Sequence, residues 1–136
     1  PTSRGLGDVY KRQVFFCGTN DLTALKTPEE TVHDFKKFLS LVRNEFGNIK
    51  VYVIGIKPTL DRLYLDKEER IFNSLVSSLA SDDAYLEYIN IWDPMLNQDG
   101  SRMPELFIED GLHMNEKGYE VWTKKVRESL GKEFDL

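Results

Sequence analysis

Val14-Phe15-Phe16-Cys17-Gly18-Thr19-Asn20-Asp21 passes from four apolar residues straight into a polar turn. The apolar part does not alternate between wet and dry positions. A strand covered on both faces reads that way, and such strands belong mainly to parallel sheets flanked by helices. The same signature recurs twice. Val51-Tyr52-Val53-Ile54-Gly55-Ile56 is a second buried strand, broken by Lys57-Pro58, and Leu86 to Ile91 (LEYINI) is a third, followed by Trp92-Asp93-Pro94.

Helical stripes separate these runs. Thr27-Pro28-Glu29-Glu30 opens the first, with Thr27 as N-cap, Pro28 at the first helical position and Glu30 closing a capping box. Val32, Phe35, Phe38, Leu39, Val42 and Phe46 follow at helical spacing, and Gly47 stops it. Asp66 to Ser81 carries Ile71, Phe72, Leu75, Val76 and Leu79 on one stripe. A polar loop with Asp99-Gly100 leads to a last helix, capped by Asn115 and running through Leu130, with Tyr119, Trp122, Val126 and Leu130 inward and Gly131 at its end. Strand, helix, strand, helix, strand, loop, helix predicts an α/β protein with a parallel sheet. Sites in such sheets lie beyond the carboxyl ends of the strands, where Gly18 to Asp21 falls.

Composition narrows the function classes. The 136 residues suffice for one domain, and 40% hydrophobic with 30% charged residues is an ordinary globular balance. A net charge of −5 argues against nonspecific binding to nucleic acid or to anionic membranes. No apolar run approaches the roughly 20 residues of a transmembrane helix. Cys17 is the single cysteine, which excludes an internal disulfide framework and a cysteine-rich zinc site.

The first thirteen residues read as foreign. Asp8-Val9-Tyr10-Lys11-Arg12-Gln13 is the translation of GATGTGTATAAGAGACAG, a string resembling the transposon-end adapter of sequencing libraries. Residues 1–13 are therefore expected to be adapter and junction, and residues 14–136 the C-terminal part of one domain. On that expectation any signal peptide went with the missing part, and localisation is left open.

Asp110-Gly111-Leu112-His113 carries the chemistry. Three residues apart, just before a helix, the carboxylate can accept from one imidazole nitrogen while the other faces a substrate. The pairing fixes the tautomer and stabilises the imidazolium formed during proton transfer. Asn20, at a strand end, offers an uncharged amide donor suited to a developing oxyanion.

With both motifs in this order, the chain resembles the SGNH hydrolases, also called GDSL esterases and lipases. Gly18-Thr19-Asn20-Asp21 matches the family's Gly-x-Asn-Asp block, and Asp110-Gly111-Leu112-His113 its Asp-x-x-His block. The similarity continues through Glu105-Leu106-Phe107 and Met114 to Tyr119 and covers essentially all of residues 14–130. It implies a three-layer α/β/α, flavodoxin-like sandwich with a parallel sheet and its first strands missing. It also implies Ser-His-Asp hydrolysis of carboxyl esters, with His113 as general base, Asp110 orienting it, and Asn20 in the oxyanion hole. Gly18 and Asp21 support that motif at the substrate side. No metal or organic cofactor is implied. The implied substrates are small-molecule esters, acylated sugars or lysophospholipids, with no nucleic-acid partner and the oligomeric state open.

The departures are as informative. The family's Gly-Asp-Ser block should follow a strand well before Gly18. Gly7-Asp8-Val9 has Val where the serine belongs, about ten residues before Gly18, too few for a crossover helix and a second strand. A second block, giving a Gly N–H to the oxyanion hole, is also lacking. The nucleophilic serine is thus absent and this chain is expected to be inactive. In the family's sheet order the missing strand lies beside Val14 to Cys17, so an unpaired edge and self-association are expected.

Other residues take plainer roles. Cys17 reads as a packed hydrophobe, His33 as a solvated side chain, and Ser74, Ser77, Ser78 and Ser81 as helix-surface residues without a nucleophile elbow. Lys57 and Arg62 solvate a loop near the substrate mouth. Trp92 and Met95 read as core before acyl-pocket wall, and Tyr119 and Trp122 as helix–sheet core. Two rival readings are a noncatalytic binding domain that keeps the sandwich without the serine, and a flavodoxin-like domain binding a nucleotide or phosphate. No Gly-rich phosphate loop lies between Val14 and Leu136.

Overall fold

The computed structural model describes residues 13–17 and 26–134. Three strands, β1 (Gln13–Cys17), β2 (Lys50–Ile54) and β3 (Leu86–Ile89), form a parallel sheet in the order β1-β2-β3. The long helices are α1 (Pro28–Phe46), α2 (Asp66–Ser81) and α3 (Glu116–Phe134). Short 3-10 turns sit at Leu63–Leu65, Asp93–Met95 and Pro104–Leu106.

The middle strand explains why alternation is absent. Val51 and Val53 face Val32, Phe35 and Leu39 of α1 and Phe72 and Val76 of α2. Tyr52 and Ile54 face the other way, onto Trp122, Val126 and Leu130 of α3. Both sides of β2 are dry, so each position is apolar, and each such side chain contributes about 1.5–3 kcal/mol. The result is the expected three-layer sandwich: α1 and α2, sheet, α3. Register pairs Cys17 with Ile54 and Ile54 with Ile89, which sets the carboxyl ends of the three strands level. Among the described residues β1 pairs with β2 alone.

α1 forms as its first residues dictate. Thr27 accepts from the Glu30 N–H at 3.1 Å, and the Glu30 carboxylate accepts the Thr27 N–H at 3.3 Å. Gly47, at φ 77°, ends the helix with its N–H on the Arg43 carbonyl. Arg43 then reaches Asp83 beyond the end of α2 at 2.6 Å, tying the two helices together at one end.

Six expectations need correction. β1 begins at Gln13 rather than Val14. β2 ends at Ile54, because beyond Gly55 both backbone polar groups of Ile56 are taken by the Asn73 side chain of α2: its N–H at 2.9 Å and its carbonyl at 3.2 Å. β3 ends at Ile89, because the Asn90 side chain accepts the N–H groups of Trp92 and Asp93 and turns the chain. Phe46 is exposed, and Ile49, past the turn, is the buried residue instead. Tyr119 is 54% exposed, because the first turn of α3 approaches its neighbours through Gly118, and Gly131 lies inside α3, which runs on to Phe134.

Candidate active site

Asp110 to His113 occupies a tight loop between the Pro104–Leu106 turn and α3. Phe107 and Met114 bridge its base, and the Ile108 N–H donates to the His113 carbonyl at 3.0 Å. Gly111 closes the turn with its N–H on the Ile108 carbonyl at φ 67°, a left-handed conformation that a residue with a Cβ adopts only under strain. Beneath lies a buried cluster of Met95, Leu106, Phe107 and Met114, with Leu60 and Trp122 packed against it.

Asn115 joins this loop to the helix. Its Oδ1 caps α3 by accepting the Gly118 N–H at 2.9 Å, and its Nδ2 donates to the Glu105 carbonyl at 2.8 Å. The capping side chain therefore also fixes where the preceding loop ends.

Asp110 is held three ways. Its Oδ1 accepts the N–H groups of Leu112 and His113, both at 2.9 Å, and its Oδ2 lies 2.5 Å from Nδ1 of His113. The hydrogen bond from His113, helped by the two backbone donors, pulls the Asp110 carboxyl down to about 2 from its ordinary 3.8. It is therefore ionised near neutral pH, and Nδ1 is the nitrogen that donates. Nε2 is left over on a side chain that is 69% exposed. An oriented imidazole with one nitrogen open to solvent can take a proton from, or give one to, a group brought beside it.

A second loop braces the first. After β2, the N–H groups of Leu60 and Asp61 both donate to the Gly111 carbonyl, at 2.8 and 3.1 Å. The loop carrying Asp110 and His113 thus hangs on the carboxyl end of the sheet, where such sites are expected.

Two of the expected site residues, Asp110 and His113, are brought together. Gly18, Asn20 and Asp21 lie outside the described residues. Ser74, Ser77 and Ser78 are on α2, and His33 is exposed on α1. Trp92 and Met95 are buried, at 5% and 0% exposure, as core residues are. Among the described residues no three His, Cys, Asp or Glu side chains converge as a metal site would require. Nor is any described helix long and apolar enough to cross a membrane. A concavity of about 830 Å³ runs along the outer face of α3 between Glu116 and Gly131, but Asp110 and His113 do not line it.

Arg102, Glu69 and Thr59 meet behind the bracing loop, and no motif in the sequence marks them. Arg102 donates to the Thr59 carbonyl at 2.6 Å and to Asp66 at 2.5 Å, and its guanidinium lies 4.9 Å from the centre of the Trp92 ring. Only the spatial neighbours mark it, and no local spacing does.

Residues 8–121 match the model of the GDSL-like lipase/acylhydrolase family. Among curated proteins the chain is similar to an N-acylneuraminate cytidylyltransferase of Escherichia coli, 28% identical over 83% of this chain and 26% of that protein. Among solved structures it is similar to a carbohydrate esterase family 3 protein from Talaromyces cellulolyticus. There the TM-score is 0.71 at 18% identity, over 89% of this chain and 57% of that one. It is also similar to the esterase domain of the ORF1 protein from the zebrafish ZfL2-1 retrotransposon, with TM-score 0.65 at 23% identity over 77% and 63% of the two chains. The chain thus spans about a quarter of the curated relative and about six-tenths of the solved structures. At these identities the structures establish the fold.

Proposed function

This chain belongs to the GDSL-like lipase/acylhydrolase family, and on that footing we propose that it is the part of a carboxyl-ester hydrolase that carries the general base. The observation that carries the reading is the 2.5 Å pairing of Asp110 Oδ2 with His113 Nδ1, on an imidazole otherwise open to solvent. In the intact protein a serine upstream of Val14 attacks the ester carbonyl, and its proton passes to Nε2 of His113. Asp110 holds the imidazolium, and the Asn20 amide holds the tetrahedral oxyanion, within a turn kept by Gly18 and Asp21. His113 then protonates the departing alcohol, and water repeats the sequence on the acyl-enzyme. Residues 1–13 take no part, and this chain without its serine turns over little.

Acylated sugars are one candidate substrate class, beside lysophospholipids. Two of the similar proteins carry sugar chemistry in their names, a carbohydrate esterase and an N-acylneuraminate cytidylyltransferase. Sequencing the source DNA upstream of the Val14 codon is the first test. A strand followed by Gly-Asp-Ser supports the reading, and a genuine start codon contiguous with residues 1–13 sinks it. The protein rebuilt with that segment should hydrolyse p-nitrophenyl acetate and an acetylated sugar, and His113→Ala should cost at least about a thousandfold. Hydrolysis indifferent to His113→Ala would refute the assignment of the base.

A further inference from the structure

Thr59 and Leu60 share one peptide unit, and Gly111 and Leu112 share another. Each unit presents a carbonyl on one side and an N–H on the other. Arg102 Nη1 donates to the Thr59 carbonyl at 2.6 Å, and the Leu60 N–H donates to the Gly111 carbonyl at 2.8 Å. The Leu112 N–H then donates to Asp110 Oδ1 at 2.9 Å, while Asp110 Oδ2 takes His113 Nδ1. All the donors point the same way, from a guanidinium at the head to a carboxylate at the tail.

We propose that Arg102 is the positioning residue of the Asp110–His113 pair, acting through these two peptide units. The inference rests on the reading of that pair as acid and base. A cation on the first carbonyl polarises its N–H, which in turn polarises the second unit, so each bond in the series strengthens the next. The geometry also fixes where the carboxylate sits, because Leu112 and Gly111 cannot shift without breaking the bond from Leu60. Arg102 is itself immobilised. Its side chain is 7% exposed, its second nitrogen holds Asp66, and its planar group lies on Trp92, which carries Arg70 at 5.1 Å. A lysine could not hold the carbonyl, the carboxylate and the ring face at once.

The chain contains only two histidines, so the test can be read on the protein as it stands. With uniform 15N labelling, the imidazole nitrogens report the tautomer of His113, and His33 on α1 serves as the internal reference. The unaltered chain should show His113 as the Nδ1–H tautomer, whereas an unconstrained imidazole favours Nε2–H. Arg102→Gln is combined with Glu69→Gln, so that no buried carboxylate loses its counter-charge. In that variant His113 should move toward the unconstrained tautomer and the Leu112 amide proton should shift upfield, with His33 unchanged. A folded variant in which neither signal moves overturns the proposal. Should that variant not fold, Gly111→Ala carries the test without touching the cation. An added Cβ there sits at φ 67° and 3.1 Å from Leu60 Cβ, which parts the two peptide units. The same two signals should move, and their constancy overturns the proposal. A mixed tautomer already in the unaltered chain overturns the pairing and the inference together. A fixed Nδ1–H tautomer in a rebuilt protein that hydrolyses nothing would count against the hydrolase reading alone.

Discussion

Asp110 holds His113 at two points: Oδ1 accepts the backbone N–H of His113 at 2.9 Å, and Oδ2 meets its Nδ1 at 2.5 Å. One carboxylate therefore fixes both the residue and its ring. The three-residue spacing makes this possible, since a longer separation would need the two anchors to come from different loops. Leu112, the other backbone donor to Oδ1, ties the same carboxylate to the Gly111 turn.

The pairing has an acid signature. Asp110 is depressed from 3.8 to about 2 by the His113 hydrogen bond and by the two backbone donors. A lowered folded-state value means that its contribution is present above about pH 4 and is lost as pH falls toward 2. Asp110→Asn should therefore be less stable than the unaltered chain at neutral pH, with the gap closing through that window. Asp34, Asp66, Asp83 and Asp99 are lowered as well, so both proteins share a general acid limb and only the difference counts. Urea melts between pH 2 and 6 would read it. Parallel curves would refute the bond's strength.

Asn73 closes the end of β2. Its amide satisfies both backbone groups of Ile56, and both lie in the dry interior. Asn73→Ala leaves a buried donor and a buried acceptor without partners, each costing about 1–3 kcal/mol. A fall in melting temperature of roughly 5 °C or more should follow for a domain of this size. Asn73→Asp restores only the acceptor and should recover part of the loss at most. A melt unchanged by Asn73→Ala would mean that water replaces the amide.

Gly118 should tolerate no side chain. A Cβ built there would lie 2.2 Å from the Leu106 carbonyl oxygen and 2.9 Å from Met114 Cβ. Glycine to alanine in a helix ordinarily stabilises by up to about 1 kcal/mol. Here the overlap is with backbone, which cannot rotate aside, so Gly118→Ala should destabilise by about 1–3 kcal/mol or more. Because the Leu106 carbonyl also accepts the Asn115 N–H, the loop base should loosen with it. Differential scanning calorimetry decides the sign. A raised melting temperature would contradict the close approach.

What the sequence made legible follows from the range of the forces involved. The capping box Thr27–Glu30 and the apolar run of β2 are set by residues within a few positions of one another and stand in the structure, and the Asp110–His113 hydrogen bond joins residues equally close, while their catalytic roles belong to the proposal. β2 and β3 end sooner than their apolar runs, because Asn73 and Asn90 intervene with side chains that compete for backbone groups. Spacing alone points Tyr119 inward, but Gly118 sets which face of α3 comes closest. Arg102 is 43 residues from Thr59 and 36 from Asp66. No periodicity encodes such a bond, which exists only once β2 and β3 bring their following loops together.

Glu69 gives the last prediction, with the opposite sign to Asp110. Its side chain is 3% exposed, and burial raises its carboxyl to about 7 from 4.5, against the pull of Arg102, whose Nη2 lies 3.7 Å from Oε1. At that distance the pair is no hydrogen bond, and Oε1 has no donor. Desolvation therefore outweighs attraction. A raised folded-state value for an acid means that stability is fully present below about pH 4.5 and declines as pH rises through about 7. Glu69→Gln removes the ionisation and should flatten that decline. The variant should gain on the unaltered chain between pH 5 and 8, by a few degrees in melting temperature, with the gain levelling off above pH 8. Thermal melts across that range, at fixed ionic strength, are the measurement. If the two curves stay parallel, Glu69 titrates as an ordinary surface carboxyl, and the cluster around Arg102 is wetter than its geometry indicates.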